Sequence, residues 1–86
     1  MPAKYEAIAR SIGAYSADAI TCKQRGNMAG YDSNHDIRFA MLETVRTLVN
    51  PKIYELVRDQ AYSYRNQILR VRGFDWSDQL QDWVKL

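Results

Sequence analysis

Three arginines in the second half of the chain are spaced so that they could form one cationic surface. Arg58, Arg65 and Arg72 follow one another at intervals of seven residues. A straight α-helix drifts by only about 20° over seven residues, so a helix would place the three guanidinium groups on one side. Tyr54 and Tyr62 border this row. We call these five residues the arginine–tyrosine face, because guanidinium groups bind carboxylates and phosphates while tyrosines offer flat aromatic surface.

Protein binding is the function that these residue types favour. Arginine, tyrosine and tryptophan are enriched among the residues that contribute most to protein–protein affinity. We therefore predict a small non-catalytic protein that binds another protein, as an adaptor, an inhibitor or a phage-type regulator. The predicted contacts are Arg58, Tyr62, Arg65, Arg72, Trp83 and Tyr31.

Nucleic-acid binding through the face of residues 54–72 is the alternative. Arginines could contact phosphates there, and tyrosines could stack on bases. Glu55 and Asp59 lie on the same predicted helix, however, and the net charge of the chain is only +2. No short turn precedes a recognition-like helix, so a helix-turn-helix motif is not indicated.

Catalysis and metal binding find little support in the sequence. The chain contains one histidine and one cysteine, whereas a zinc site needs three or four ligands. No glycine-rich phosphate-binding motif is present. The serines have only His35 to serve as a base, and Cys22 lies on an apolar helix seam. We predict no enzymatic activity, no metal and no cofactor.

The helix that would position the arginines is the strongest pattern in the chain. Asn50 can cap its start, Pro51 suits the first helical position, and Gly73 suits the end. Apolar side chains between them recur at alternating intervals of three and four, which predicts an amphipathic helix over residues 51–72. They are Tyr54, Val57, Ala61, Tyr64, Ile68 and Val71.

A first helix over residues 3–23 carries the same alternating spacing. Two helices with matching seams pack well side by side, and a homodimer formed through these seams is an alternative that the pattern leaves open. Gly13 interrupts the first helix. It either weakens or bends that helix, or it allows a close approach of another element.

The segment of residues 24–34 is rich in glycine, asparagine and aspartate and predicts a long loop, which could itself be functional. A second helix is expected over residues 34–49, with Ser33 and Asp36 resembling a capping box. Arg38 falls within the apolar arc of this helix. Its side chain either extends to water or reaches a carboxylate or a ligand.

The C-terminal segment predicts a short fourth helix over residues 76–84. Trp76, Leu80 and Trp83 would share one face at helical spacing. Two tryptophans so close together carry a large apolar area. They would either cover the helical core or anchor a partner.

Together these elements predict an all-α fold, a small helical bundle of three main helices plus a short C-terminal helix, forming a single domain over residues 1–86. No signal sequence and no membrane-spanning apolar run is recognisable, so we expect a soluble cytoplasmic protein without membrane contact. The predicted core comprises Ile8, Ile12, Ile37, Met41, Val45, Leu48, Val57, Ala61, Tyr64 and Ile68.

Overall fold

Three helices followed by a two-stranded antiparallel hairpin make up residues 3–86. A computed structural model describes residues 3–86, so that Met1 and Pro2 of the predicted domain lie outside the described residues. The elements are α1 (Ala3–Gln24), α2 (Met28–Leu48), α3 (Pro51–Val71), β1 (Phe74–Ser77) and β2 (Asp82–Lys85). The predicted, mostly helical architecture is confirmed. The predicted fourth helix is wrong, because its residues form the hairpin.

Helix α3 begins and ends where its capping residues predicted. The Asn50 side chain accepts a hydrogen bond from the backbone N–H of Ile53 at 2.9 Å, and Pro51 occupies the first helical turn. At the other end Gly73 adopts φ of 87°, a conformation that costs glycine little. The chain can therefore leave the helix sharply and enter β1.

Helix α2 begins six residues earlier than predicted, at Met28 rather than at residue 34. Asn27 caps it, accepting a hydrogen bond from the backbone N–H of Gly30 at 3.0 Å. The prediction of a loop over residues 24–34 is therefore wrong, and only a tight turn joins α1 to α2. Poor helix formers are tolerated there because tertiary packing overrides intrinsic propensity. Asn34 also donates from its side chain to the carbonyl oxygen of Gly30 at 2.8 Å.

Helix α1 lies in the middle of the fold. It packs along both α2 and α3, whereas α2 and α3 have few contacts with each other. Gly13 lets α1 approach α3 closely: a Cβ atom at this position would lie 2.6 Å from the carbonyl oxygen of Ala61. Of the roles that the sequence left open for Gly13, the structure thus shows the close approach.

The core follows this arrangement of helices. Six buried residues form its main cluster, two from each helix: Ala9, Ile12, Leu42, Val45, Val57 and Ala61. Four residues of the predicted core are only partly buried: Ile8, Met41, Tyr64 and Ile68. The prediction is wrong for Ile37 and Leu48, which are 41% and 76% exposed. They lie on the side of α2 that turns away from α1, the helix against which α2 mainly packs.

The hairpin closes the end of the helical core. Phe74 and Trp83 are buried against Ala17 and Leu69 and form a second, smaller core cluster. Trp76 pairs with Trp83 across the strands, with ring centroids 5.9 Å apart in an edge-to-face arrangement. Leu80, which the helical interpretation placed beside both tryptophans, lies instead in the exposed turn between the strands. The strand-like alternation of apolar and polar residues therefore outweighs the helical spacing here.

Replacing Gly13 by alanine is expected to destabilise the protein. The added methyl group would force α1 and α3 apart, and overpacking of this kind costs about 1–3 kcal/mol. That cost exceeds the gain in helix propensity of about 0.8–1.0 kcal/mol. Urea denaturation followed by circular dichroism measures the change in the free energy of unfolding.

Ser11→Ala is the matched control, because Ser11 is exposed on the same helix. Ser11→Ala should change the free energy of unfolding by no more than about 0.5 kcal/mol. A Gly13→Ala protein as stable as the wild type would show that α1 and α3 do not pack closely at this position.

Candidate functional site

A cleft opens between α2 and α3, with α1 forming its floor. The two helices are joined by only Val49 and Asn50 and diverge from this connection. The floor is formed by Ser16, Ala19 and Ile20 of α1. The walls are formed by Tyr31, His35 and Arg38 of α2 and by Tyr62 and Arg65 of α3. We call this space, of about 200 Å³, the polar cleft.

Two arginines in the polar cleft have no carboxylate partner. The guanidinium group of Arg65 donates to the side-chain oxygen of Asn66 at 3.0 Å, and that of Arg38 contacts His35 Nδ1 at 3.3 Å. None of the described residues that line the cleft is acidic. Within residues 3–86, neither arginine forms an ion pair. The cleft therefore carries positive charge that its own residues do not neutralise.

Four of the other six arginines have carboxylate partners at the surface, with nitrogen–oxygen distances of 2.8–3.2 Å. These pairs are Arg10 with Glu6, Arg46 with Glu43, Arg58 with Asp59, and Arg72 with Asp18. Arg25 and Arg70 form no ion pair within residues 3–86 either, so what distinguishes Arg38 and Arg65 is that both line one cleft without an acidic residue.

The electrostatic environment of Arg65 reflects this excess of positive charge. Burial lowers the pKa of its guanidinium group, and the nearby charge of Arg38 lowers that pKa further, against an opposing contribution from Tyr62. Arginine nevertheless remains protonated in proteins. An anion placed between the two groups would offset the cost of burying Arg65 and the repulsion between the two guanidinium groups.

Aromatic rings hold the cations of the cleft in position. The Arg65 guanidinium lies 4.7 Å from the centroid of the Tyr62 ring and 5.9 Å from that of Trp83. On the opposite wall, Tyr31 stacks on His35 with centroids 5.4 Å apart. Cation–π contacts favour such positions without neutralising the charge. The guanidinium group therefore stays available to a ligand.

His35 lies on the cleft wall in contact with Arg38. A guanidinium group can only donate, so the contact with Arg38 requires His35 Nδ1 to be the acceptor. The proton of the neutral imidazole is then on Nε2. Arg38 thereby selects the tautomer of His35.

Ser16 adds an unpaired hydroxyl group to the floor. The residue is only 4% exposed, and its Oγ atom has no hydrogen-bond partner. Two threonines of the same fold bond back to the helix instead, Thr21 to the carbonyl of Ala17 at 2.8 Å and Thr44 to that of Ala40 at 2.9 Å. A buried hydroxyl without a partner costs free energy, and a ligand in the cleft would remove that cost.

Three of the six predicted site residues meet in the polar cleft: Tyr31, Tyr62 and Arg65. A fourth, Trp83, contacts Arg65 but is itself only 4% exposed. Its ring supports Arg65 from within the second core cluster. Half of the predicted contacts therefore belong to one small region, although they come from two different helices.

The other two predicted residues lie elsewhere. Arg58 pairs with the adjacent Asp59 and lies over Tyr54. Arg72 donates to the Asp18 carboxylate at 2.8 Å and to the Thr21 hydroxyl at 2.9 Å, so that it ties the end of α3 to α1. The arginine–tyrosine face is consequently divided into separate environments.

The sequence interpretation missed Ser16 and His35 as site residues and left the role of Arg38 open. Tyr31, His35 and Arg38 are spaced by four and three residues, which is a helical signal. The interpretation of residues 24–34 as a loop hid that signal. Ser16 lies within the apolar seam of α1, where a hydroxyl group calls for an explanation.

A second, apolar groove lies between the N-terminal half of α1 and the C-terminal half of α2. It measures about 380 Å³ and is lined mainly by Tyr5, Ile8, Met41, Val45 and Leu48. It contains no charged side chain. The groove is therefore a surface of a different chemical character from the polar cleft.

Among residues 3–86, no group of three His, Cys, Asp or Glu side chains is placed to hold a metal ion. No helix within the same range has both the length and the apolar character needed to cross a membrane.

Comparison with known proteins yields no match: no family model fits the chain, and no curated protein or solved structure is similar to it. The fold and the site define a three-helix protein with a C-terminal hairpin and a cationic cleft. Its function is therefore argued from that geometry alone.

Replacing Trp83 by alanine is expected to lower the free energy of unfolding by about 3–5 kcal/mol, as is usual for a buried aromatic residue. Trp76→Ala is the matched control, because Trp76 is 43% exposed in the same hairpin. The free energy of unfolding should fall less in Trp76→Ala. Most of that loss should come from the Trp76–Trp83 aromatic pair, which is worth about 0.5–1.5 kcal/mol. Thermal and urea denaturation measure both effects, and equal small losses would contradict the packing of the hairpin on the helices.

Proposed function

We propose that this protein acts without catalysis by binding an acidic segment of another protein in the polar cleft. The observation that carries the proposal is the pair of arginines, Arg38 and Arg65, which face the cleft without a carboxylate partner. A carboxylate from a partner would supply the missing counter-charge. Charge complementarity thus identifies the chemistry of the occupant.

The surroundings of the arginines favour a protein ligand. Guanidinium groups bind carboxylates through two parallel hydrogen bonds, which adds geometric specificity. Tyr31 and Tyr62 flank the site, and tyrosine and arginine are the residue types that dominate interface energetics. Partial burial strengthens each charge-assisted bond, because less water competes for it.

Nucleic-acid binding through the face of residues 54–72 remains the second candidate, but the geometry favours it less. A phosphate backbone is best followed by a continuous row of available cations. Arg58 and Arg72, at either end of the face, already pair with Asp59 and Asp18. Only Arg65 of the three faces the polar cleft.

A homodimer would require surfaces other than the predicted seams. Ile12, Val57 and Ala61, which lie on those seams, are buried within a single chain. Self-association would have to use exposed apolar residues such as Leu48 beside the apolar groove. Light scattering at low and high salt measures the mass, and the polar cleft stays open in a dimer of this kind.

Arg65→Gln and Arg38→Gln are each expected to weaken binding of a fluorescein-labelled, glutamate-rich peptide by about tenfold or more, because hydrogen bonds to charged groups contribute about 1.5–3 kcal/mol. Fluorescence anisotropy at fixed ionic strength measures the affinity. Arginine and glutamine have similar helix propensities, so the helices should persist. Circular dichroism verifies this.

Arg46→Gln is the matched control, since it removes the same charge from an exposed ion pair outside the cleft. The Arg46→Gln protein should bind the glutamate-rich peptide with the same affinity as the wild type. A labelled oligothymidylate is titrated in parallel. The proposal is overturned if the peptide does not bind, if Arg65→Gln binds it normally, or if the oligonucleotide binds more tightly with a dependence on Arg58.

A further inference from the structure

The polar cleft has a depth and a set of donors that define its ligand more closely than charge alone. We propose that it receives a phosphoryl group, carried by a phosphorylated serine or threonine side chain of the partner protein, between Arg38, Arg65 and the buried Ser16 hydroxyl. This inference rests on the proposed function and names the anion that the cleft selects.

The donors of the cleft outnumber what a carboxylate can use. Arg38 and Arg65 supply guanidinium N–H groups from the two walls of the cleft. The Ser16 hydroxyl provides another donor from the floor. A phosphoryl group has three terminal oxygens that accept strong hydrogen bonds, whereas a carboxylate has two. A tetrahedral anion can therefore contact both walls and the floor together.

The positive charge of the polar cleft also favours a phosphoryl group. Two arginines face the cleft, and no described residue lining it is acidic. A carboxylate would neutralise one of these charges. A phosphate monoester carries about −1.5 to −2 at pH 7, which matches the pair.

Ser16 distinguishes a ligand that enters the polar cleft deeply from one that stays at its rim. Its Oγ atom is fully enclosed, so a ligand would pair with it only by entering fully between α2 and α3, with the Ser16 side chain turning toward it. The side chain also makes no bond to its own helix that would have to be broken first. A ligand that stays at the rim would interact with the arginines and leave Ser16 unpaired.

The size of the cleft favours one group of a larger molecule. Pockets for complete small-molecule ligands measure about 300–1,000 Å³, whereas the polar cleft measures about 200 Å³. A phosphoryl group on a short side chain needs only a small space, and the remainder of a partner peptide would lie outside. Tyr31 and Tyr62 are placed to contact it there.

Three labelled peptides of one sequence, with serine, glutamate or phosphoserine at the central position, test the inference. Fluorescence anisotropy at matched ionic strength is expected to give about tenfold or tighter binding of the phosphoserine peptide over the glutamate peptide, since added charge-assisted bonds are each worth about a factor of ten. Arg65→Gln should remove this preference. Arg46→Gln, with its exposed ion pair, should retain it.

Ser16→Ala is the most discriminating variant. Alanine is the best helix former, and the substitution removes a buried hydroxyl that has no partner, so the protein should fold at least as stably as the wild type. We expect it to bind the phosphoserine peptide several-fold more weakly and the glutamate peptide unchanged. A purely structural role of Ser16 would leave both affinities unchanged, which would overturn its assignment.

The outcomes separate this inference from the proposed function. If the phosphoserine peptide binds no tighter than the glutamate peptide, while both depend on Arg65, the phosphoryl inference fails and protein binding stands. If inorganic phosphate binds with the same dependence on Arg65, and the phosphoserine peptide binds no tighter than inorganic phosphate does, the ligand is free phosphate. The proposal of a protein partner is then overturned. If none of these probes binds, both proposals fail.

Discussion

The close contact between α1 and α3 at Gly13 and Ala61 is the constraint on which the rest of the structure depends. Because Gly13 has no side chain, the backbones of the two helices approach to a distance that any other residue would prevent. Helix α1 thereby occupies the middle of the fold and keeps α2 and α3 apart. The polar cleft is the space that remains between them, and Ser16, three residues after Gly13, forms part of its floor.

The polar cleft places two arginines side by side without an acidic residue between them. Arg10, Arg46, Arg58 and Arg72 each lie beside a carboxylate, whereas the cleft brings Arg38 and Arg65 together without one. Leaving like charges close together and a serine hydroxyl unpaired costs free energy. Arrangements of this kind are concentrated at functional sites, where a ligand restores the balance. That reasoning links the electrostatics of the cleft to the acidic and phosphorylated partners proposed for it.

The errors of the sequence interpretation have a common physical cause. Residues 24–34 predicted a loop from their local propensities, yet helix α2 runs through them and approaches α1 closely where Gly30 and Asn34 meet Cys22. Trp76 and Trp83 fit helical and strand spacing equally well over so short a segment. The pairing of β1 with β2, and their burial against Leu69, decided in favour of strands. In both cases long-range contacts outweighed local preference.

The sequence by itself determined the three main helices, the caps of α3 and four of the six residues in the main core cluster, because periodicity and capping act within a few residues of each other. It also led to the prediction that Tyr31, Tyr62 and Arg65 bind a partner, although not to the finding that these residues lie together. Only the tertiary structure decided that Arg72 is tied to Asp18 while Arg65 is left unpaired. The physical reason is that a charge acquires its partner through space, and the separation of α2 from α3 by α1 sets which groups come within reach.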